Sequence, residues 1–224
     1  MTSFDAFMAE CPMVAILRGI EPDEVLAHSQ VLIKAGFRLI EVPLNSPDAF
    51  ASIRLLQTTY GASAVIGAGT VLTLAQLTEL VSTGAKLMVC PHTDVELIKA
   101  AKVAGLYAMP GFFTASEAFA ALHAGADAVK LFPAEALPDR KVIRALGAVI
   151  PSKTWLCPVG GVTPENMTRY FDAGARGFGL GSALYKKGQS VAVTQANANA
   201  FMAAWKCYQE NNVIEAENAS LTGV

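Results

Sequence analysis

The chain has 224 residues, of which 53% are hydrophobic and 16% are charged. This composition supplies enough apolar material for one large core and is unlike that of a disordered protein. A formal net charge of −2 gives no electrostatic basis for binding nucleic acid or an acidic membrane surface, and no apolar run approaches the ~18 residues that a membrane-spanning helix needs.

Eight short apolar runs predict buried strands, and each is followed by a segment with helical character. Several of the runs are almost wholly apolar, which is typical of parallel strands that are covered by helices. In chain order, the predicted strands are residues 13–17, 39–44, 65–68, 87–90, 106–109, 128–132, 155–159 and 177–180.

Helix boundaries are also visible in the sequence. Prolines with acidic residues beside them indicate helix starts at Pro22, Pro47 and Pro164. A threonine with Gln or Glu three residues later predicts a capping box at Thr73, Thr93 and Thr114. Helix ends are predicted at glycines that can adopt the left-handed conformation just before a strand, namely Gly36, Gly84, Gly105, Gly125 and Gly174.

The spacing of these glycines corresponds to one or two units of helix plus strand. Eight such units in a chain of this length are predicted to close into a single (β/α)₈ barrel. An open doubly wound sheet is the alternative, but Arg18-Gly19-Ile20 after the first strand is not a dinucleotide-binding loop. We predict that the barrel spans residues 1–208 and that the polar stretch 209–224 is a disordered tail.

Lys130 lies in the predicted sixth strand, among apolar neighbours and just before Pro133. A lysine in such a run either extends its ammonium group to water or, if it is buried, loses its proton more readily because desolvation disfavours the charge. A neutral lysine amine attacks carbonyl carbons. We therefore hypothesise that Lys130 forms a Schiff base.

Glu41 lies in the predicted second strand. If Glu41 and Lys130 both point into the barrel, the alternation of strand side chains puts Leu39 and Ala128 inside and turns Ile40 and Val129 toward the helices. The non-catalytic alternative for Glu41 is a buried ion pair with Lys130 or Arg18, an arrangement that often adds no net stability.

Two glycine-containing pairs follow the last two predicted strands, Gly160-Gly161 and Gly181-Ser182. Barrels commonly bind phosphate at these two strand ends through backbone N–H groups, and glycine lets the backbone approach the anion. The sequence therefore predicts a phosphorylated ligand.

The cysteines and histidines are scattered and show no metal-ligand spacing. This pattern indicates reduced thiols and no metal site. Because the first five residues also lack the basic region of a signal peptide, we expect a cytoplasmic protein. The residues concerned are Cys11, Cys90, Cys157, Cys207, His28, His92 and His123.

Together these motifs resemble those of the 2-keto-3-deoxy-6-phosphogluconate and -galactonate aldolases, over about residues 12 to 205. The resemblance implies a class I aldolase on a (β/α)₈ barrel, usually a homotrimer, that uses no metal cofactor. The matching motifs are Arg18-Gly19, Glu41-Val42-Pro43-Leu44, Gly67-Ala68-Gly69-Thr70-Val71, Pro110-Gly111, Lys130-Leu131-Phe132-Pro133-Ala134, Gly160-Gly161-Val162 and Gly181-Ser182.

The resemblance also implies roles for individual residues. Lys130 matches the Schiff-base lysine and Glu41 the general acid/base. The residues that match the site for the keto-acid end of the substrate are Arg18, Thr70, Pro91 and Phe132, and those that match the phosphate site are Gly160, Gly161, Val162, Gly181 and Ser182.

Two departures from the gluconate-type pattern bear on the substrate. The gluconate-type enzymes usually have Glu-Val-Thr-Leu-Arg on the second strand, whereas in this chain Asn45 and Ser46 follow Leu44. They also usually have a threonine just before the glycine pair, where this chain has Val159. Both features are similar to the galactonate-type enzymes. They imply 2-dehydro-3-deoxy-6-phosphogalactonate as the substrate, with Val159, Asn45 and Ser46 as specificity residues; activity on the gluconate epimer, alone or in addition, is the alternative.

Two other functions remain open on the same scaffold. Another phosphate-binding barrel, such as an isomerase or a thiamin-phosphate synthase, would not call for a lysine in strand six together with a glutamate in strand two. A non-catalytic sugar-phosphate sensor would need neither residue, since a fold does not fix a function.

Overall fold

The computed structural model describes residues 3–137 and 141–222, with the backbone alone for 212–222. It contains eight strands that agree with the predicted ones to within a few residues. They are β1 (Met13–Ile16), β2 (Leu39–Pro43), β3 (Val65–Gly69), β4 (Leu87–Cys90), β5 (Tyr107–Phe112), β6 (Ala128–Leu131), β7 (Trp155–Pro158) and β8 (Phe178–Leu180).

The eight strands form one parallel sheet in the order β7-β6-β5-β4-β3-β2-β1-β8. An isolated parallel bridge between Val159 and Gly179 then joins the two outer strands, β7 and β8. The sheet is therefore a nearly closed barrel. The predicted (β/α)₈ fold is confirmed, and the open doubly wound alternative is wrong.

Helices alternate with the strands along the chain. The α-helices are α1 (Phe4–Glu10), α2 (Val25–Ala35), α3 (Ala49–Tyr60), α4 (Leu74–Ser82), α5 (Val95–Val103), α6 (Ala115–His123), α7 (Lys141–Gly147), α8 (Met167–Phe171) and α9 (Val191–Thr222), with a 3₁₀ turn at Ala134–Ala136. All five glycines predicted at helix ends have positive φ, from 75° at Gly105 to 117° at Gly36. Within the described ranges, no helix is both long enough and apolar enough to span a membrane.

The helix starts follow the sequence signals only in part. Thr114 and Glu117 form the predicted capping box, and Thr73 accepts from the Gln76 N–H. At α5, however, the cap is Asp94, because the Thr93 hydroxyl donates instead to the Gly111 carbonyl at 2.8 Å. α2 and α8 begin after the predicted prolines, since their first turns are closed by 3₁₀-type bonds between residues three apart.

Buried apolar side chains form two layers, one inside the barrel and one between the strands and the helices. Leu39 and Ala128 belong to the inner layer, whereas Ile40 and Val129 belong to the outer one. The predicted strand parity of β2 and β6 is therefore confirmed. Glu41 and Lys130, each separated by two positions from an inner residue, point into the barrel.

The short helix α1 closes one end of the barrel. Its Phe4 and Met8 side chains are buried within the inner layer, at the amino ends of the strands. Ser3 caps this helix by accepting from the Ala6 N–H, and Trp155 on β7 donates to the Asp5 carboxylate at 2.7 Å. The interior is consequently filled from this end.

The C-terminal stretch differs from its prediction. Residues 209–222 continue α9 as helical backbone, whereas the sequence predicts a disordered tail; residues 223–224 lie outside the described part of the chain. The stretch lacks an apolar periodicity, but it contains Gln, Glu and Ala and no proline or glycine before Gly223. Helix propensity alone therefore allows the helix to continue.

Candidate active site

A cavity of about 600 Å³ opens at the carboxyl ends of the barrel strands. Most of the predicted site residues line it, although they come from separate parts of the sequence. Those that line the cavity are Arg18, Thr70, Pro91, Lys130, Phe132, Val159, Gly160, Gly161, Val162, Gly181 and Ser182; Glu41, Asn45 and Ser46 are not in its wall.

Lys130 lines this cavity from β6, one residue before the strand ends. Its side chain is 4% exposed, and its Nζ lies 4.7 Å from the centre of the Phe132 ring. Burial lowers the pKa of the Lys130 amine, an effect that the Glu41 carboxyl opposes and the Arg18 guanidinium reinforces. A lysine in this environment provides a neutral, nucleophilic amine at lower pH than a surface lysine does.

Glu41 lies behind the cavity wall on β2 and is fully buried. Burial raises the pKa of its carboxyl to about 7, although the nearby charges of Lys130 and Arg18 act in the opposite direction. In the described parts of the chain, Glu41 Oε2 has no hydrogen-bond partner, and no ion pair joins Glu41 to Lys130 or Arg18. The salt-bridge alternative for Glu41 is therefore not what the structure contains.

A glycine in β3 makes room for this carboxyl group. A Cβ atom on Gly69 would overlap Glu41 Oε2, and β2 and β3 are paired with Pro43 opposite Gly69. The next residue, Thr70, has a positive φ of 55°, which is rare for a residue other than glycine. Gly69 thus leaves space for the Glu41 carboxyl group, and the backbone conformation of Thr70 places this residue in the cavity wall.

Asn45 and Ser46 support the loop that follows β1. The Arg18 guanidinium donates from Nη1 to Asn45 Oδ1 at 2.6 Å, and the Gly19 N–H donates to Ser46 Oγ at 2.8 Å. Arg18 is one of the cavity-lining residues, so Asn45 orients a cation of the site from outside the cavity, and Ser46 holds the next residue of the same loop.

Backbone N–H groups are available at the predicted phosphate site. Among the hydrogen bonds of the described residues, none is donated by the N–H groups of Gly161, Val162, Ser182 or Ala183. These groups lie on the loops after β7 and β8, both of which line the cavity. The arrangement can bind an anion through several N–H donors at once.

Val159 lines the same cavity, directly after β7 and before the Gly160-Gly161 pair. Its side chain is 4% exposed, and its N–H donates to the Leu131 carbonyl at 3.0 Å. A Cβ on the neighbouring Gly179 would lie 2.7 Å from Val159 Cγ2, so the valine packs closely at the junction of β7 and β8. It presents an apolar surface to the cavity.

Several cavity-lining residues were missed by the sequence reasoning. Glu135 follows the Lys130 motif directly, and Tyr185, Lys186 and Lys187 lie within five residues after Gly181-Ser182. Their proximity to the motifs is a usable signal. Lys187 also forms an ion pair with Glu21 at 2.9 Å, which links the loop after β8 to the loop after β1.

Comparison with known proteins bears on this site. The sequence model of the KDPG and KHG aldolase family matches residues 4–199, which include both Glu41 and Lys130. The chain belongs to the KDPG and KHG aldolase family. It is therefore a carbon–carbon lyase, and neither the non-catalytic sensor nor the isomerase and synthase alternatives apply.

The similarity to members of this aldolase family extends over most of the chain. The 2-dehydro-3-deoxy-6-phosphogalactonate aldolase of Escherichia coli K12 is 48% identical over 200 residues, which are 89% of this chain and 97% of that protein. A solved structure described as native KDPGal is 48% identical, with a TM-score of 0.88 and coverage of 90% of this chain and 97% of that one.

A more distant aldolase structure carries a bound reaction species. The KDPG aldolase of Legionella pneumophila, solved with pyruvate captured at low pH as a covalent carbinolamine intermediate, is 27% identical to this chain. Its TM-score is 0.76, and the match covers 91% of this chain and 96% of that one.

Proposed function

We propose that this aldolase is a class I enzyme that cleaves 2-dehydro-3-deoxy-6-phosphogalactonate to pyruvate and glyceraldehyde 3-phosphate. The observation that carries the proposal is that a buried lysine amine with a lowered pKa, Lys130, and a buried carboxyl with a pKa raised to about 7, Glu41, both point into the barrel without forming an ion pair in the described part of the chain. Two titratable groups with shifts of this kind at one cavity are typical of acid–base and nucleophilic catalysis.

In the proposed reaction, Lys130 attacks the C2 ketone of the substrate. Loss of water from the resulting carbinolamine gives an iminium ion, which withdraws electrons from the C3–C4 bond. The covalent carbinolamine with pyruvate in the Legionella aldolase is the corresponding species in that relative. The low exposure of Lys130 supports the role, because burial favours the neutral amine that attacks.

Glu41 is proposed as the general base and acid. It accepts the proton of the C4 hydroxyl, directly or through a water, while the C3–C4 electrons move into the iminium and leave an enamine. Glyceraldehyde 3-phosphate departs as the aldehyde, Glu41 returns a proton to C3, and hydrolysis releases pyruvate and Lys130. A carboxyl group with a pKa near 7 is suited to both directions of proton transfer.

The remaining predicted residues are proposed to hold the two ends of the substrate. Arg18 and Thr70, with Pro91 and Phe132, bind the keto-acid end beside Lys130. The phosphate end is proposed to lie on the N–H groups of the loops that contain Gly160, Gly161, Val162, Gly181 and Ser182. The lining of one cavity by both sets supports this orientation.

The galactonate epimer is proposed as the substrate for two reasons. The curated relative at 48% identity and the solved structure described as native KDPGal have galactonate-type names, and the apolar Val159 lines the cavity at the position where a threonine is usual in the gluconate-type enzymes. Asn45 and Ser46 are proposed to contribute through their contacts with Arg18 and Gly19 rather than through the substrate itself. We also propose a homotrimer, as the family resemblance implies, and a cytoplasmic location, which suits four unpaired cysteines.

The proposal is tested by borohydride reduction in the presence of pyruvate, followed by mass analysis of the peptides. The pyruvate-derived mass is expected on Lys130, and labelling of another lysine or of none would reject the Schiff-base assignment. Pyruvate release from the two C4-epimeric substrates, assayed side by side, then tests the substrate. A higher kcat/KM for the gluconate epimer would reverse the assignment between the two.

A further inference from the structure

Glu135 occupies the wall of the cavity next to the glycine pair that follows β7. It lies in the 3₁₀ turn Ala134–Ala136, and the Ala134 N–H donates to the Val159 carbonyl at 2.9 Å. This bond fixes the turn against the end of β7. Glu135 is exposed to the cavity and has no part in the proposed Schiff-base chemistry.

The side chain of Glu135 extends along the two glycines. A Cβ atom on Gly161 would lie 2.8 Å from Glu135 Cβ and 3.1 Å from its Oε2, and one on Gly160 would lie 3.6 Å from its Cδ. The glycines therefore provide the space that the Glu135 side chain fills. Among the ion pairs and hydrogen bonds of residues 3–137 and 141–222, none involves the Glu135 carboxylate.

An acceptor in this position requires a particular partner. A carboxylate accepts hydrogen bonds and donates none, and it repels a phosphate group that is bound nearby. The group on a sugar-acid substrate that suits it is a hydroxyl. Between C2, which would be bound to Lys130, and the phosphate on C6, the substrate carries hydroxyls at C4 and C5, and the C5 hydroxyl is the one next to the phosphate-bearing carbon.

We propose that the Glu135 carboxylate accepts a hydrogen bond from the hydroxyl group on the carbon next to the phosphate-bearing carbon, and so selects aldehydes that carry this hydroxyl. The inference rests on the proposed function, because it takes its orientation from Lys130 and the N–H-rich loops. A site built to hydrogen-bond a hydroxyl discriminates strongly against an analogue that lacks it.

The test uses the reaction in the direction of synthesis, with pyruvate and one of two aldehydes. D-Glyceraldehyde 3-phosphate carries the hydroxyl, and 3-oxopropyl phosphate lacks only that group. The ratio of kcat/KM for the two aldehydes is measured for the wild type, Glu135→Gln, Glu135→Met and Glu165→Gln. Comparing ratios between variants removes the intrinsic difference in reactivity between the aldehydes.

Each variant isolates one property of the side chain. Glu135→Gln keeps an acceptor but removes its charge, and Glu135→Met keeps the length but offers no comparable acceptor. Glu165 is an exposed glutamate on the loop after Gly160-Gly161 and is not in the cavity wall, so Glu165→Gln controls for the loss of one negative charge.

The expected result is a ratio that falls at least tenfold in Glu135→Met, falls less in Glu135→Gln and is unchanged in Glu165→Gln. A ratio within twofold of the wild type in both Glu135 variants would overturn the inference. Borohydride trapping of pyruvate on Lys130 shows whether each variant is folded, and if Glu135→Met does not label, Glu135→Gln decides. A wild type that neither labels nor condenses glyceraldehyde 3-phosphate would instead reject the proposed function.

Discussion

The carboxylate of Glu41 lies against the Cα atom of Gly69, in space that any side chain at position 69 would occupy. Gly69→Ala should therefore displace the carboxyl group without removing it. We expect kcat/KM to fall by about 100-fold, the order that a misplacement of ~1 Å can cause. Steady-state kinetics check this, with Gly147→Ala as the control, because a Cβ there meets no atom within 4 Å. Activity near that of the wild type in Gly69→Ala would show that the position of Glu41 is not critical.

Glu41→Gln should slow turnover while pyruvate still labels Lys130. The amide has nearly the shape of the carboxyl group but cannot exchange a proton with the C4 hydroxyl or with C3. General acid–base groups typically contribute ~10²–10⁴-fold, so a decrease of that order in kcat is expected. Kinetics and borohydride labelling are measured on the same preparation, and a variant that labels and turns over normally would assign the proton transfer to another group.

The pH dependence of stability should also change in Glu41→Gln. In the folded protein the pKa of Glu41 is raised to about 7, above its ordinary value of 4.5, so the carboxyl favours folding fully below pH 4.5 and loses this contribution as the pH rises toward 7. Relative to the wild type, the free energy of unfolding of Glu41→Gln should rise by about 3 kcal/mol over this window and stay constant above it. Urea unfolding at several pH values checks this; a difference that is independent of pH contradicts the raised pKa.

Val159→Thr should shift the preference between the two C4 epimers toward the gluconate form. Threonine has nearly the shape of the buried valine, so it fits beside Gly179, and it adds a hydroxyl facing the cavity. A net gain of ~1.4 kcal/mol from one hydrogen bond corresponds to about a tenfold change in the ratio of kcat/KM. The ratio is measured with both epimers. If it is unchanged or moves toward galactonate, specificity lies elsewhere, with Asn45 and Ser46 the next residues to vary.

Activity should persist after exhaustive chelation with EDTA. Among the described residues, no group of three or more His, Cys, Asp or Glu side chains is arranged to hold a metal ion, and the proposed iminium supplies the electron withdrawal that a metal would otherwise provide. Turnover is measured before and after chelation and again after adding zinc or magnesium. Loss of activity that either metal restores would contradict the class I mechanism.

The strands could be predicted from the sequence because parallel strands buried on both faces are apolar throughout. The end of β5 was predicted wrongly: the apolar run before Pro110 predicts a strand that stops at residue 109, but the strand runs to Phe112. Pro110 lacks an N–H group, yet β5 still pairs with Cys90 at this position and continues to Gly111, which pairs with Lys130. A proline removes one backbone N–H donor from the strand, and the remaining hydrogen bonds to β4 and β6 are enough to keep β5 in the sheet.

The candidate site could be predicted where a residue departs from its local pattern. Lys130 and Glu41 are charged residues in apolar strands, and the glycine pairs interrupt the strand ends. Glu135, Tyr185 and Lys186 do not differ from the residues expected around them, because they lie in loops, where polar residues are usual. Their position next to the Lys130 and Gly181-Ser182 motifs is the one signal in the sequence, and it does not show which of the loop residues face the cavity.

The packing of Phe4 and Met8 into the amino end of the barrel has a consequence for the order of events during turnover. Because these side chains fill the interior from that end, substrate, products and water all pass through the opening at the carboxyl ends of the strands, which Lys130 lines. In the proposed reaction glyceraldehyde 3-phosphate leaves through this opening first, since the pyruvate part is still covalently bound to Lys130. Protonation of the enamine and hydrolysis of the resulting iminium by a water that enters the same way then release pyruvate.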